Sequence, residues 1–241
     1  MLERKKQYSF KEQKYQRYKL LKFFLGFLVL YVLYNVLVTF FISVWVMEND
    51  TMQPSLASGD RLIFSSFTLP SWLRQKGPDE QSFPFKRGSI VLVDMGNVKG
   101  QNVPMKIVDG VVRFFTAQQV SIFSRGQYHI KRVIALPGDE IYMNNFVFRV
   151  KPSGSPYSLT EFELSDKPYH PAIPQVPALW DESIPFSGNM DTIILGPDEC
   201  FVISDDRSNT NDSRTWGAVS PSLITARAIF RFWPLVKIDL L

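Results

Sequence analysis

The sequence predicts a mainly β protein: a membrane-anchored, β-rich domain with a protruding insertion and one short helix. Three observations support this class. A basic N-terminal segment precedes a long uncharged run, short strand-like segments follow one another along the rest of the chain, and only one of the 241 residues is a cysteine. Because 45% of the residues are hydrophobic, including 20 Phe and 5 Trp, the chain can bury the core of one sizeable domain.

The first 47 residues predict a membrane anchor. Residues 1–22 hold eight Lys or Arg and two Glu, whereas residues 23–47 hold no charge. As a helix rising about 1.5 Å per residue, this run can cross a hydrocarbon core of about 30 Å, and it is too long for a cleaved signal. Basic residues favour the cytoplasmic side. We therefore expect a cytoplasmic tail at 1–22, a single transmembrane helix at 23–47 in the cytoplasmic membrane, and an extracytoplasmic domain at 48–241. The lipid bilayer is then one partner.

The distribution of charge argues against a nucleic-acid partner. The formal net charge is +4, but the tail alone carries +6, so the remaining chain is slightly acidic and has no basic footprint. With only His129, His170 and Cys200 available as soft ligands, a zinc site of the usual kind is not expected, and we predict no metal and no cofactor. Cys200 lies among apolar neighbours, which predicts a buried strand residue.

Short segments rich in β-branched and aromatic residues, bounded by turn formers, predict strands throughout the domain. These segments are DRLIFSSF, GSIVLVDM, YHIKRVIAL, EIYMNNFVFRV, DTIILG, ECFVIS and ARAIFRFW. Residues 105–123 differ, because Val108, Val111, Val112 and Phe115 recur at helical spacing and predict an amphipathic helix. Residues from about 142 to 190 are rich in Pro and Ser and predict an insertion with one short strand at 159–164.

Four motifs are candidates for chemistry: TMQPSL at 51–56, RGSIVLVD at 87–94, IKRVIALPGD at 130–139 and SDDRSNTNDSRTWG at 204–217. In sequence and order they resemble the bacterial type I signal peptidases, membrane-bound serine proteases that remove signal peptides from exported proteins. The third motif is the most specific, and the first and fourth are altered. The resemblance covers residues 45 to about 234. It implies a serine-type endopeptidase that acts on preprotein signal peptides. Whether the secretion translocon is a further partner is left open by the resemblance.

The resemblance places the family's nucleophilic serine on Thr51 and its general-base lysine on Lys131. A hydroxyl becomes a useful nucleophile only when a nearby base takes its proton, and a lysine can do so only if burial lowers its pKa. Strand alternation puts Lys131 on one face with His129 and Val133, so apolar surroundings are expected. The alternative is an ordinary exposed strand lysine.

Three hypotheses remain open for the nucleophile. Thr51 supplies the required hydroxyl, but its extra methyl group restricts χ1 and could crowd the line of attack. Thr51 is therefore either a working nucleophile, or a weakened or lost one in an otherwise intact relative. In the third hypothesis, Ser55 or Ser58 has the role instead.

An oxyanion hole formed by the Asn49 side chain and the Thr51 backbone N–H is expected, since Asn49 falls where the family has a serine donor. In the alternative hypothesis, Asn49 and Asp50 only form a turn. We expect Met52 and Pro54 to line the path of an extended substrate peptide added alongside a strand.

The fourth motif is expected to orient the lysine. The family's lysine-binding serine falls on Thr210 and its aspartate on Asp212. An unpaired carboxylate would raise the pKa of Lys131, so Asp212 needs a cationic partner, either Arg214 or Arg132.

The chain departs from the family at Ser204 and Asp206, where Gly and Asn are usual. Asp206 adds a negative charge near the site, and Ser204 could resist a backbone conformation suited to Gly.

Two functions therefore remain at this stage. In the first, the protein is an endopeptidase that cleaves signal peptides with a hydroxyl and lysine dyad. In the alternative, it is a catalytically impaired relative that binds export substrates or a partner peptidase. The departures at Asn49, Thr51 and Asp206 separate the two hypotheses, because all three fall at the site while the lysine motif is intact.

Overall fold

The computed structural model describes residues 10–40, 42–66, 83, 85–96, 128–175 and 188–241. Its helices are α1 (Phe10–Phe40) and α2 (Ser213–Trp216), with short 3-10 helices at Pro221–Leu223 and Leu235–Lys237. Its strands are β1 (Ile42–Val46), β2 (Arg61–Ser66), β3 (Ile90–Asp94), β4 (Tyr128–Ala135), β5 (Glu140–Asn144), β6 (Val147–Lys151), β7 (Leu159–Thr160), β8 (Met190–Ile194), β9 (Phe201–Ile203), β10 (Ile224–Trp233) and β11 (Asp239–Leu240). The mainly β class is confirmed, and the helix predicted at 105–123 lies outside the described residues.

Helix α1 ends earlier than the predicted transmembrane helix. The prediction continued to residue 47, but the helix ends at Phe40, and the following Ile-Ser-Val-Trp-Val segment forms β1. These β-branched and aromatic residues pair with β2 one by one, from Ile42 opposite Ser65 to Val46 opposite Arg61, and this ladder replaces helical hydrogen bonding. Within the described residues, no helix has both the length and the apolar composition required to cross a bilayer.

The larger sheet has seven antiparallel strands in the order β1-β2-β10-β3-β4-β9, and β11 pairs with β10. Strand β9 pairs with the second half of β4, from Arg132 to Ala135. Trp45 of β1 packs on Tyr128 of β4 with ring centroids 4.9 Å apart, although three strands separate β1 from β4 in the sheet. The sheet therefore curls until its first strand faces the beginning of β4.

The smaller sheet accounts for part of the predicted insertion. Strands β7, β6, β5 and β8 form an antiparallel sheet in that order, with a tight turn between β5 and β6. A buried cluster joins the two sheets, since residues of β4 and β9 pack with residues of β5 and β6. The described part of the insertion is thus a folded layer with its own strands, and it is attached to the strand that carries Lys131.

Residues 47–60 form a closed turn between β1 and β2. The Met47 N–H donates to the Asp60 carbonyl oxygen, and the Gly59 N–H donates to the Met47 carbonyl oxygen, both at 2.8 Å. Met52 and Leu56 anchor the turn, because both are fully buried in the core cluster that also holds Ile130 of β4. The turn that presents Thr51 is therefore packed against β4, the strand that carries Lys131.

Candidate active site

Lys131 lies in the interior of β4, opposite Val91 of β3. Only 1% of its surface is exposed, and its amine donates to the Ser204 hydroxyl at 2.8 Å. The amine nitrogen also lies 5.7 Å from the centroid of the Trp216 ring. His129, two positions earlier on the strand, contacts the same ring, with centroids 5.0 Å apart. The alternation predicted for His129 and Lys131 is thus observed.

Burial lowers the pKa of Lys131 to about 8, because water no longer stabilises the ammonium form. Asp212 acts in the opposite direction, Arg214 lowers the pKa further, and Asp205 raises it slightly. At pH 7 about a tenth of the lysine is therefore an uncharged amine that can accept a proton, far more than for a lysine with an ordinary pKa, and this fraction grows as the pH rises towards 8. Lys131 is not the ordinary exposed strand lysine of the alternative hypothesis.

Asp212 and Arg214 neutralise each other beside this amine. The two carboxylate oxygens of Asp212 accept from Arg214 Nε at 3.0 Å and from Arg214 Nη2 at 2.8 Å, and one also accepts the Ser204 N–H at 2.9 Å. Burial would raise the pKa of Asp212, but the hydrogen bonds and charge of Arg214, together with the Ser204 N–H, hold it below its usual value. Of the two arginines considered, Arg214 is the partner, whereas Arg132 pairs with Asp205 at 2.6 Å.

Helix α2 explains the placement of this ion pair. Asp212 is its N-cap residue and accepts the Arg214 backbone N–H at 3.1 Å. The Arg214 side chain then curls back over the cap, where Nη1 donates to the Arg207 carbonyl oxygen at 2.9 Å and Nη2 donates to the Asn209 carbonyl oxygen. One arginine therefore holds both the carboxylate and the backbone of the loop before the helix.

Thr51 is partly exposed, and its hydroxyl donates to Asn49 Oδ1 at 2.8 Å. The Thr51 backbone N–H points to the same oxygen at 3.4 Å. Asn49 therefore presents its carbonyl oxygen to Thr51, not the amide donor that an oxyanion hole requires. Within the part of the chain that the structure describes, no hydrogen bond joins Thr51 directly to Lys131.

The loop after β9 connects the two halves of the candidate site. The Asp206 N–H donates to the Thr51 carbonyl oxygen at 3.1 Å, two residues after Ser204 holds the Lys131 amine. The Asp206 carboxylate accepts from the Ser208 hydroxyl at 2.6 Å and the Ser208 N–H at 3.0 Å. Asp206 therefore contributes its backbone to the site, while its added charge is directed into its own loop.

The serines considered as alternative nucleophiles bond elsewhere. Ser55 Oγ accepts from Arg132 Nη2 at 3.2 Å, and the exposed Ser58 hydroxyl donates to the Glu48 carbonyl oxygen at 3.4 Å. Neither hydroxyl bonds to Lys131 among the described residues.

The two residues expected to contact substrate, Met52 and Pro54, differ in their exposure to solvent. Met52 is fully buried with Leu56 in the core, so its side chain is covered in this structure and its contact with substrate stays a prediction. The apolar Met52 side chain has more free energy to gain from burial than from a solvent-facing contact. Pro54 is exposed and borders a cavity of about 400 Å³.

The hydroxyl that accepts from the Lys131 amine differs from the expected one. Ser204, not Thr210, accepts from the Lys131 amine, and the Thr210 carbonyl oxygen instead accepts from the Thr215 hydroxyl at 2.6 Å. Ser204 is fully buried and does not have the positive φ that would favour glycine. Because Arg132 lies opposite Ile203 in the β4–β9 ladder, Ser204 leaves the ladder beside Lys131. This antiparallel register is the signal that could have identified Ser204, but the sequence alone does not fix it.

Comparisons with known proteins identify the family of this chain. The family model described as "Signal peptidase, peptidase S26" matches residues 20–233. The chain belongs to this family.

Among curated relatives, the chain is 27% identical over 187 residues to "Probable signal peptidase I-1" of Synechocystis sp., which covers 77% of this chain and 68% of the relative. It is 26% identical over 201 residues to "Signal peptidase I" of Leptolyngbya laminosa, covering 83% of this chain and 73% of the relative. It is 22% identical over 230 residues to "Signal peptidase I P" of Bacillus subtilis subsp. natto, covering 95% of this chain and 97% of the relative.

Proposed function

We propose that this protein is a membrane-bound endopeptidase that cleaves signal peptides from exported preproteins, with Thr51 as the nucleophile and Lys131 as the general base. The observation that carries the proposal is the buried Lys131 amine, whose pKa is lowered to about 8 at the position of the family's base. Family membership and this amine favour the peptidase over the binding-only alternative, because a binding protein gains nothing from a buried base.

The reaction begins when the neutral amine of Lys131 takes the proton of the Thr51 hydroxyl as its oxygen attacks the scissile carbonyl carbon. The hydroxyl, which donates to Asn49 Oδ1 in the resting site, must first leave this acceptor. Lys131 then gives its proton to the departing amine, leaving an ester between Thr51 and the signal peptide. Water activated by Lys131 hydrolyses this ester and regenerates both side chains.

The negative charge of the tetrahedral intermediate needs donors in a preorganised site. The Thr51 backbone N–H is one candidate, since its contact to Asn49 Oδ1 is long at 3.4 Å and is readily exchanged for a stronger one. We propose the Asn49 amide group as the second donor. In the resting site its oxygen faces Thr51, so this role requires a rotation of the Asn49 amide.

The substrate peptide would lie extended between β1 and the first half of β4. Two features support this path: the curl of the sheet brings Trp45 and Tyr128 together, and the part of β4 that carries Lys131 lies beyond the residues that pair with β9. A peptide adding along these strands would pass the Thr51 turn. Signal peptides have small side chains near the cleavage point. Such side chains would fit this site, because the core beneath the Thr51 turn is fully packed and leaves little room for larger ones.

We propose that the uncharged run at 23–47, which begins within α1, anchors the protein in the cytoplasmic membrane, with the basic N-terminal tail in the cytoplasm and residues 48–241 outside. Supporting this, consecutive apolar side chains of α1 are exposed all around the helix, for example Phe23 at 70%, Phe24 at 63% and Leu25 at 58%. Such an apolar surface needs a covering that water cannot supply.

The test is cleavage of a preprotein by the full-length protein in detergent, followed by N-terminal sequencing of the product. Thr51→Ala and Lys131→Ala are each expected to lower kcat by at least 10³-fold, because each removes one member of a unit that acts together. Thr51→Ser keeps the hydroxyl without the methyl group and is expected to retain activity.

Ser58→Ala is the matched control, since it removes an exposed hydroxyl from the same turn and is expected to leave kcat unchanged. If Thr51→Ala cuts as fast as the unmodified protein while Ser55→Ala or Ser58→Ala does not, the nucleophile is misassigned. If no preprotein is cut by any form, the proposed function fails.

A further inference from the structure

We infer that residues 169–172, in the predicted insertion, form a brace. This brace positions the loop after β9, whose Ser204 accepts the hydrogen bond from the catalytic amine of Lys131. The brace acts through two side chains adjacent in sequence to the Lys131–Ser204 pair, namely Arg132 and Asp205. This inference rests on the proposed function, because it assigns a positioning role for the same reaction. It also gives a role to the insertion, for which the sequence alone suggests none.

The backbone contacts show the brace most directly. The Ala172 N–H donates to the Asp205 carbonyl oxygen, and the Arg207 N–H donates to the Ala172 carbonyl oxygen, both at 2.9 Å. Ala172 thereby forms a parallel bridge with Asp206. On its other side, Asp206 donates its N–H to the Thr51 carbonyl oxygen at 3.1 Å. The loop is thus held between the nucleophile turn and the brace.

Tyr169 adds a side-chain contact to the brace. Its ring lies against the Arg132 guanidinium, 3.8 Å from the guanidinium carbon to the ring centroid. Its hydroxyl donates to Glu161 Oε2 at 2.6 Å, and the same oxygen accepts from Arg207 Nη2 at 2.7 Å. A continuous chain of contacts therefore runs from Arg132 through the insertion and back to the loop.

The charges in this network are buried and balanced. Arg132 is 5% exposed and forms two hydrogen bonds with the fully buried Asp205, at 2.7 and 2.6 Å. Arg207 and Glu161, 1% and 3% exposed, form the second pair. Breaking a buried pair leaves an uncompensated charge, so each pair is held strongly in one geometry.

This network also fixes the position of the acceptor for the catalytic amine. Lys131 precedes Arg132 on β4, and Ser204 precedes Asp205 on the loop, so two neighbouring contacts join the same two elements. The outer contact fixes the distance and direction of the loop. The inner contact, in which Lys131 donates to Ser204, then forms without further adjustment. Loosening Tyr169 or Ala172 is expected to let this inner contact vary and to admit water to the amine.

Admission of water would change the titration of Lys131. The charged and titratable groups around this amine are Asp212 and Arg214 of α2 and the cap, Asp205 of the loop, and His129 of β4. A substitution in the brace removes none of these groups. Asp205, the one that bonds to the brace, raises the pKa of Lys131, so its displacement would lower that pKa. An upward shift in the titration of Lys131 would therefore report the loss of its dry surroundings, not the loss of a neighbouring charge.

The test compares Tyr169→Leu, which removes the ring and the hydroxyl, with Tyr157→Leu, which alters a tyrosine that is 74% exposed elsewhere in the insertion. For Tyr169→Leu we expect kcat to fall about tenfold with KM within about twofold. The rising limb of the pH profile is expected to move upward by at least half a pH unit. Tyr157→Leu is expected to change none of these quantities.

A second pair of variants tests the backbone contact. Ala172→Pro removes the N–H that donates to Asp205, whereas Ala172→Ser keeps it and serves as its control. Ala172→Pro is expected to change kcat and the pH profile in the same direction as Tyr169→Leu. If Ala172→Pro does not fold, Tyr169→Phe replaces it, because this variant keeps the ring over Arg132 and loses only the hydroxyl. It is expected to shift kcat and the pH profile in the same direction as Tyr169→Leu, but by less, and unchanged values would count against the brace.

Titration of Lys131 by NMR of its side-chain ¹³Cε separates this inference from the proposed function, because it needs no substrate. A midpoint that rises in Tyr169→Leu and not in Tyr157→Leu supports the brace even if no preprotein is cut. A midpoint and a kcat that both stay unchanged in Tyr169→Leu, whatever the loss of thermal stability, would overturn it.

Discussion

The amine of Lys131 donates to Ser204 Oγ, and both groups are buried. Removing this hydroxyl leaves a buried amine without its acceptor and free to turn away from Thr51. We therefore predict that Ser204→Ala lowers kcat by about 10- to 100-fold with little change in KM, equivalent to about 1.4–2.7 kcal/mol of transition-state stabilisation. Steady-state kinetics on a signal-peptide substrate would measure both constants.

Thr210→Ala provides the comparison for Ser204→Ala. The resemblance assigns the lysine-binding hydroxyl to Thr210, but the structure places Ser204 in that contact. Thr210→Ala is expected to keep kcat within about threefold of the unmodified protein. If Thr210→Ala is the more damaging of the two changes, the contact described here is not the one that operates during catalysis.

At the level of elements, α2 serves mainly to keep a cation on Asp212. Arg214→Met would leave a buried carboxylate beside Lys131 and would also remove a charge that lowers the pKa of the lysine. Both changes favour the ammonium form. We predict that the rising limb of the pH profile of kcat/KM moves above pH 8, and that the protein loses about 3–5 kcal/mol of stability, as is usual when one partner of a buried pair is removed.

Arg149→Met is the matched control for Arg214→Met, because Arg149 is an exposed arginine on β6. It is expected to leave both the pH profile and the denaturation midpoint unchanged. An Arg214→Met protein whose pH profile coincides with that of the unmodified protein would show that Asp212 does not influence the base.

Strands were more predictable than the elements around the site. The predicted segments correspond to β2–β6 and β8–β10, since β-branched and aromatic residues bounded by turn formers are visible in the sequence itself. The end of α1 was not predictable, because uncharged residues after Phe40 suit either a helix or an edge strand until β2 is available for pairing. The motifs locate Lys131 and Asp212, but the Lys131–Ser204 contact depends on the register between β4 and β9, which is a tertiary property.

For the molecule as a whole, the buried lysine is expected to reduce stability. Its pKa is about 8 in the folded protein and 10.5 for an unperturbed lysine, so the unfolded chain holds its proton more tightly between these pH values. The resulting penalty is full below pH 8 and disappears as the pH rises through 10.5. A shift of this size corresponds to roughly 3 kcal/mol.

We therefore predict that Lys131→Met, while inactive, is more stable than the unmodified protein by about 1–3 kcal/mol at pH 7, with the difference shrinking towards pH 10.5. Urea denaturation of both proteins at pH 7 and pH 10 measures the two differences. Other groups titrate in the same range, but they are common to both proteins and cancel. An equal or lower stability of Lys131→Met at pH 7 would show that the lysine is not penalised by burial.

Helix α1 ends at Phe40 and β1 begins at Ile42, so the connection is one residue long. With so few residues between the two elements, a change in the direction of α1 is expected to change the direction of β1, the first strand of the sheet. Since β1 leads within five residues of its end to Thr51, tilting the helix would re-aim the nucleophile. The environment that fixes the orientation of α1 would consequently also determine the position and orientation that a scissile peptide bond needs in order to reach Thr51.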